Sequence, residues 1–181
     1  MVSKCHDYGE FSNRARYVGM TTDTVQANGS ILVVGGEEGS NGASVPTLEL
    51  LPKSGGVVYC DWLNRTDPYN LYPFLAVLPS GGVFVAYYNE ARILDEGTLQ
   101  TSKTLPNMPG AVNDFLGGRT YPFEGTSVIL PQHAPYSDPL TVMVCGGSTP
   151  VSALESRGHS NSNCHRALRL PLITAYRSNP R

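Results

Sequence analysis

Three residue types in this chain could carry redox or metal chemistry: 10 tyrosines, 4 histidines and 4 cysteines. The stretch "RARYVGM" (14–20) places Tyr17 directly ahead of "QANGSILVVGG". A tyrosine there reads either as an ordinary strand residue or as half of a redox site completed by residues outside the chain. The histidines are scattered. His6 precedes the first apolar segment, His133 shares a loop with Pro135, and His159 and His165 flank Cys164 in "GHSNSNCHR". His159, Cys164 and His165 could donate to a metal, but their spacing is not that of a metal motif and the stretch reads as a polar loop. Gly35-Gly36 and Gly146-Gly147 are followed by neither a lysine nor a helix signal, so they are not phosphate loops. Tyr72, Tyr121 and the single tryptophan, Trp62, read as packing anchors, because large aromatics contribute most when buried.

The elements that must hold these residues repeat. "RYVGMTTDTVQANGSILVVGG" (16–36), "LYPFLAVLPSGGVFVAYYN" (71–89) and "TYPFEGTSVILPQHAPYSDPLTVMVCGG" (120–147) each hold a tyrosine, an apolar strand, a turn and a second apolar strand. Asn28-Gly29 predicts a tight type I′ hairpin, and "SGG" at 80–82 predicts a similar turn. Further strand-like pieces, "TLELLP" (47–52) and "ARILD" (91–95), bring each unit to about four strands, as in a propeller blade. The spacing of about 50 to 60 residues is near the kelch period. A β-sandwich would also show many short strands, but the recurrence favours blades. Gly and Pro, at 19 and 14 residues, fall between β-branched runs, which predicts an all-β protein with few helices.

Bulk composition narrows the function classes. The 181 residues are 40% apolar and 15% charged, with a net charge of -2. That is enough apolar content for a core and too weak a field to collect nucleic acid or anionic lipid. The longest apolar runs, "ILVV" (31–34) and "VFVAYY" (83–88), fall far short of the roughly 20 residues that cross a bilayer. The sequons "NGS" at Asn28 and "NRT" at Asn64 are candidate glycosylation sites and fit a secreted setting. "MVSKCHDYGE" has no apolar core of a signal peptide, so the chain as written is either cytoplasmic or lacks its true N-terminus. Three units leave sheet edges open, which need further blades or another chain to cover them. Residues 166–181 carry four arginines and no acid and read as a compositional break.

The ordered series "RYVGM…NGSILVVGG", "LELLPKSG", "NLYPFLAVLPSGGVFV", "LPNMPG", "RTYPFEGTSVILP", "TVMVCGGSTP" and "NCHRALRL" resembles the N-terminal region of glyoxal oxidase. That family belongs, with galactose oxidase, to the copper-radical oxidases. The resemblance implies about three blades of an incomplete seven-bladed kelch-like propeller over residues 14–170, with 1–13 as an extension and 171–181 as an irregular basic tail. It implies oxidation of a small aldehyde or primary alcohol by O2 with release of hydrogen peroxide, in a secreted complete protein. It also implies a copper ion held by two histidines, an axial tyrosine and an equatorial tyrosine that is thioether-linked to a cysteine and carries the radical. Tyr17 resembles that radical tyrosine. Arg16 stands where the family has tryptophan; its guanidinium can stack as an aromatic does, but its charge opposes oxidation of a neighbour. Cys5 is twelve residues before Tyr17, too near to match the family's thioether cysteine. Cys145 and Cys164 match recurrent family cysteines and form a candidate disulfide. The family's copper histidines come from later blades, so this chain alone is expected to be inactive; the alternative is a non-catalytic kelch-like binding module.

Overall fold

The computed structural model describes residues 18–39, 41–79, 81–108, 117–136, 139–148 and 168–171. They form an all-β structure with a single four-residue helix, α1 (Asp61–Asn64). The first sheet contains β2 (Thr22–Val25), β3 (Ile31–Val34), β5 (Thr47–Leu51) and β6 (Val58–Tyr59). The second contains β7 (Phe74–Leu78), β8 (Gly82–Tyr87), β9 (Glu90–Asp95) and β10 (Thr101–Thr104), and the third β11 (Thr126–Leu130), β12 (Thr141–Cys145) and β13 (Leu168–Pro171). All three are antiparallel meanders in sequence order. A short ribbon, β1 (Val18–Gly19) with β4 (Glu37–Glu38), flanks the first sheet.

The repeat is exact in register: Thr22, Phe74 and Thr126 open the three sheets 52 residues apart. Two residues before each stands a side-chain-bearing residue at positive φ, namely Met20 (54°), Tyr72 (51°) and Glu124 (57°). Such residues are uncommon in the left-handed region, so their recurrence marks one backbone device used three times. It also resolves the tyrosine frames. Tyr72 aligns with Met20 and Glu124, whereas Tyr69 and Tyr121 share the position five residues before the first strand that Tyr17 holds in the sequence.

The first hairpin differs from the type I′ turn expected, which needs two positive φ angles. Among the described residues of the first two turns only Gly29 (86°) and Gly81 (84°) have positive φ, each after a turn closed by its N–H on Gln26 O or Leu78 O, both 3.0 Å. Asn28 uses its side chain instead: Oδ1 accepts from Ser30 N (2.9 Å) and Ser30 Oγ (2.7 Å). An Asx turn of this kind removes the need for a left-handed asparagine. Residues 168–171, within the expected compositional break, pair with β12 from Val144↔Leu168 to Thr141↔Pro171. A charge count missed this strand because pairing depends on backbone register.

The second sheet is the middle layer. Along β8 every residue is buried, since successive side chains of a strand point to opposite faces. Val83, Val85 and Tyr87 pack with Leu32, Val34, Leu48, Trp62 and Leu63 of the first repeat. Phe84 and Ala86 pack with Val142 and Val144 of the third. Strand β7 lies against both β2 and β11, so the first strands of the three sheets are neighbours. The outer faces are less covered. On the first sheet Val25, opposite Ile31, is 62% exposed, and on the third Val128, opposite Met143, is 50% exposed.

Candidate functional site

In an antiparallel meander the start of the first strand and the end of the second lie at one end of the sheet. Here that end collects Met20, Tyr72 and Tyr121 ahead of the first strands, and Gly35-Gly36, Tyr88-Asn89 and Gly146-Gly147 after the second. Backbone bonds tie successive repeats together at this end. Tyr72 N donates to Met20 O (3.2 Å), Arg119 N to Tyr88 O (2.8 Å), and Gly118 N to Ser148 O (2.9 Å). The Thr120 hydroxyl accepts from Tyr88 N (2.8 Å) and donates to Tyr69 O (2.9 Å). The buried Arg119 donates from Nη1 to Gly146 O.

One of these glycines has a steric role. Gly147 (φ 100°) approaches so closely that a Cβ would overlap Gly118 O and the Arg119 side chain. Side chains fill the rest: Tyr69 packs on Tyr88 and Phe123 with centroids 5.5 and 5.4 Å apart. Tyr72 and Tyr121, expected as buried packing between blades, do join successive repeats, edge to face at 5.8 Å, yet each remains 46% exposed. Two half-exposed phenols therefore line this end.

Beside them lies a charged network that the sequence reading missed. Tyr87, fully buried, donates to Glu90 Oε2 (2.9 Å) and accepts from Arg92 Nε (2.8 Å) and Nη2. The Arg92 guanidinium lies 4.4 Å from the Trp62 ring centroid, and Trp62 and Tyr87 pack at 4.6 Å. Arg65 holds both oxygens of Glu90, at 2.6 and 2.5 Å. Burial works against ionising Glu90, but the hydrogen bonds from Arg65 and Tyr87 and the two arginine charges outweigh it, leaving its pKa below 4.5. Burial raises the Tyr87 pKa despite Arg92 and pushes the Cys60 thiol up to about 11. A phenol kept protonated and a thiol kept neutral make this cluster a structural anchor. A signal was present in the sequence: Tyr87, Glu90 and Arg92 follow one another around one tight connection, with Trp62 just after a strand.

Tyr17, Arg16, Cys5, His6, His159, Cys164 and His165 lie outside the described residues. Cys145 lies on the third sheet with no disulfide partner among the described residues, and Cys164, its proposed partner, lies outside them. Asn28 is exposed at a hairpin tip and Asn64 is exposed on α1. Among the described residues no three His, Cys, Asp or Glu side chains gather to hold a metal, and His133 is exposed in a loop. The described residues by themselves do not fit a copper centre.

A family model described as "Glyoxal oxidase N-terminus" matches residues 4–174. The chain belongs to the glyoxal oxidase N-terminal family. A "WSC domain-containing protein" of Arthroderma benhamiae is 64% identical to this glyoxal oxidase family chain over 143 residues, covering 79% of the chain and 15% of the relative. "Aldehyde oxidase GLOX" of Vitis pseudoreticulata is 30% identical over 70% of the chain and 23% of the relative. "Putative aldehyde oxidase Art an 7" of Artemisia annua is 29% identical over 78% and 25%. The chain thus spans a quarter or less of the length of these relatives. No solved structure matches it.

Proposed function

We propose that this chain is part of a secreted copper-radical oxidase, one that oxidises a small aldehyde or primary alcohol with O2 and releases hydrogen peroxide. The observation that carries the reading is the glyoxal oxidase family match over residues 4–174, supported by relatives named as aldehyde oxidases. In this reading the three meanders are successive blades of a kelch-like β-propeller, and further blades cover the outer faces around Val25 and Val128. Tyr17 is the copper-bound radical tyrosine, Arg16 adjusts its potential, and Cys145 pairs with Cys164. The remaining copper ligands come from polypeptide beyond this chain, which is therefore inactive by itself. A second reading, a non-catalytic propeller module, is favoured by one observation: the 64% identical relative is named for a WSC domain and not for an oxidase.

The test is a chimera in which this chain replaces the matching residues of the Arthroderma benhamiae relative. After copper loading, peroxide release from a panel of aldehydes and primary alcohols is expected, and Tyr17→Phe should abolish it. A folded, copper-bound chimera that releases no peroxide from any of them overturns the oxidase reading and leaves the binding module.

A further inference from the structure

Two sequons satisfy the same three-residue motif, but the structure gives their hydroxyls different work. At Asn64 the hydroxyl belongs to Thr66, which is 5% exposed. It donates to Trp62 O (2.8 Å) and accepts from Asn70 Nδ2 (2.8 Å), inside the turn that follows α1. At Asn28 the hydroxyl belongs to Ser30, which is only half-buried and lies against Gln26 Oε1 (2.5 Å) and Asn28 Oδ1 (2.7 Å) within the hairpin turn. Asn28 itself is exposed and projects from the tip of the β2–β3 hairpin, next to Gly29, where an added Cβ would meet nothing within 4 Å.

The position of the tip matters as much as its openness. Hairpin tips lie at the opposite end of the sheets from Met20, Tyr72 and Tyr121, because β2 starts at that end and runs away from it. The tip is held by Ala27 N donating to Glu96 Oε1 (2.8 Å), from the turn after β9 at the same far end. Asn64 lies at the other end, one residue from Arg65 and its bond to Glu90. A bulky glycan at Asn28 therefore clears both the inter-sheet contacts and the tyrosine-lined end, and its solubilising sugar stands in water.

We infer that Asn28 is an N-glycosylation site of this protein, with the glycan carried on the end of the sheets remote from the tyrosine pair. This rests on the secreted part of the proposed function, not on its oxidase part. The experiment sends the full chain through a eukaryotic secretory pathway behind a supplied leader and maps the secreted protein by peptide mass spectrometry with and without peptide N-glycosidase F. Asn28 should carry a glycan in the secreted, folded protein, read as Asn28 converted to aspartate by the enzyme. Asn28→Gln and Ser30→Ala should each remove one glycan's mobility shift. Secreted, folded protein with Asn28 unmodified overturns the inference. If the wild-type chain fails to leave the cell, the same mapping on the secreted chimera decides it. Because the leader is supplied, neither result alters the peroxide test.

Discussion

At the residue scale, Glu90 is one carboxylate facing two guanidinium groups, those of Arg65 and Arg92. Despite burial, Arg65, Tyr87 and Arg92 hold its carboxyl below the ordinary glutamate range in the folded state, so the stability it contributes is present above that range and is lost as pH falls through the lower folded value. Glu90→Gln removes the charge that Arg65 and Arg92 face. The variant is expected to be about 1–3 kcal/mol less stable at pH 7. Between pH 5 and pH 3 the wild type should lose more stability than the variant, so that the difference between them shrinks. Urea unfolding at both ends of that range measures it, and a constant difference would show that Glu90 is not the titrating group.

At the element scale, the glycines differ in what they allow. Gly29 has a positive φ and open space, while Gly147 has a positive φ and no room for a Cβ. Gly29→Ala should cost about 1 kcal/mol, the ordinary strain of a left-handed alanine. Gly147→Ala should cost clearly more, because the overlapping Gly118 carbonyl is backbone and cannot rotate away. Thermal unfolding of the two variants compares them, and equal midpoints would mean that the loop yields. The same elements show how legible the chain was. Strands such as β3, β7 and β8 were readable from dense Val, Leu and Ile runs with glycine turns. A tyrosine before an apolar run recurs at two offsets, as Tyr69 and Tyr72, and only backbone angles separate them. Of the charged network only Tyr87, Glu90 and Arg92, around one tight connection, were legible; Arg65 and Trp62 are brought to them by packing between repeats, which no local pattern encodes. Strand β13 was missed since its neighbours supply its register.

At the scale of the whole molecule, the described residues cover the middle sheet on both faces and the other two on one. Val25 and Val128 then stand on surfaces of the kind that the second sheet buries. The isolated 181-residue chain is expected to associate as its concentration rises, and the pair Val25→Lys with Val128→Lys should hold it monomeric. Light scattering across a concentration series reads this directly. Equal masses for the two proteins would show that these faces are not the adhesive ones. The layered arrangement also bears on synthesis. Each meander closes on contacts near in sequence, so the first sheet can assemble as soon as Tyr59 has left the ribosome. Strand β8 has no such independence: Phe84 and Ala86 must wait for Val142 and Val144, which are made much later. During that interval the nascent protein carries a finished sheet with one dry face and one wet one, which is the moment when a chaperone would find it.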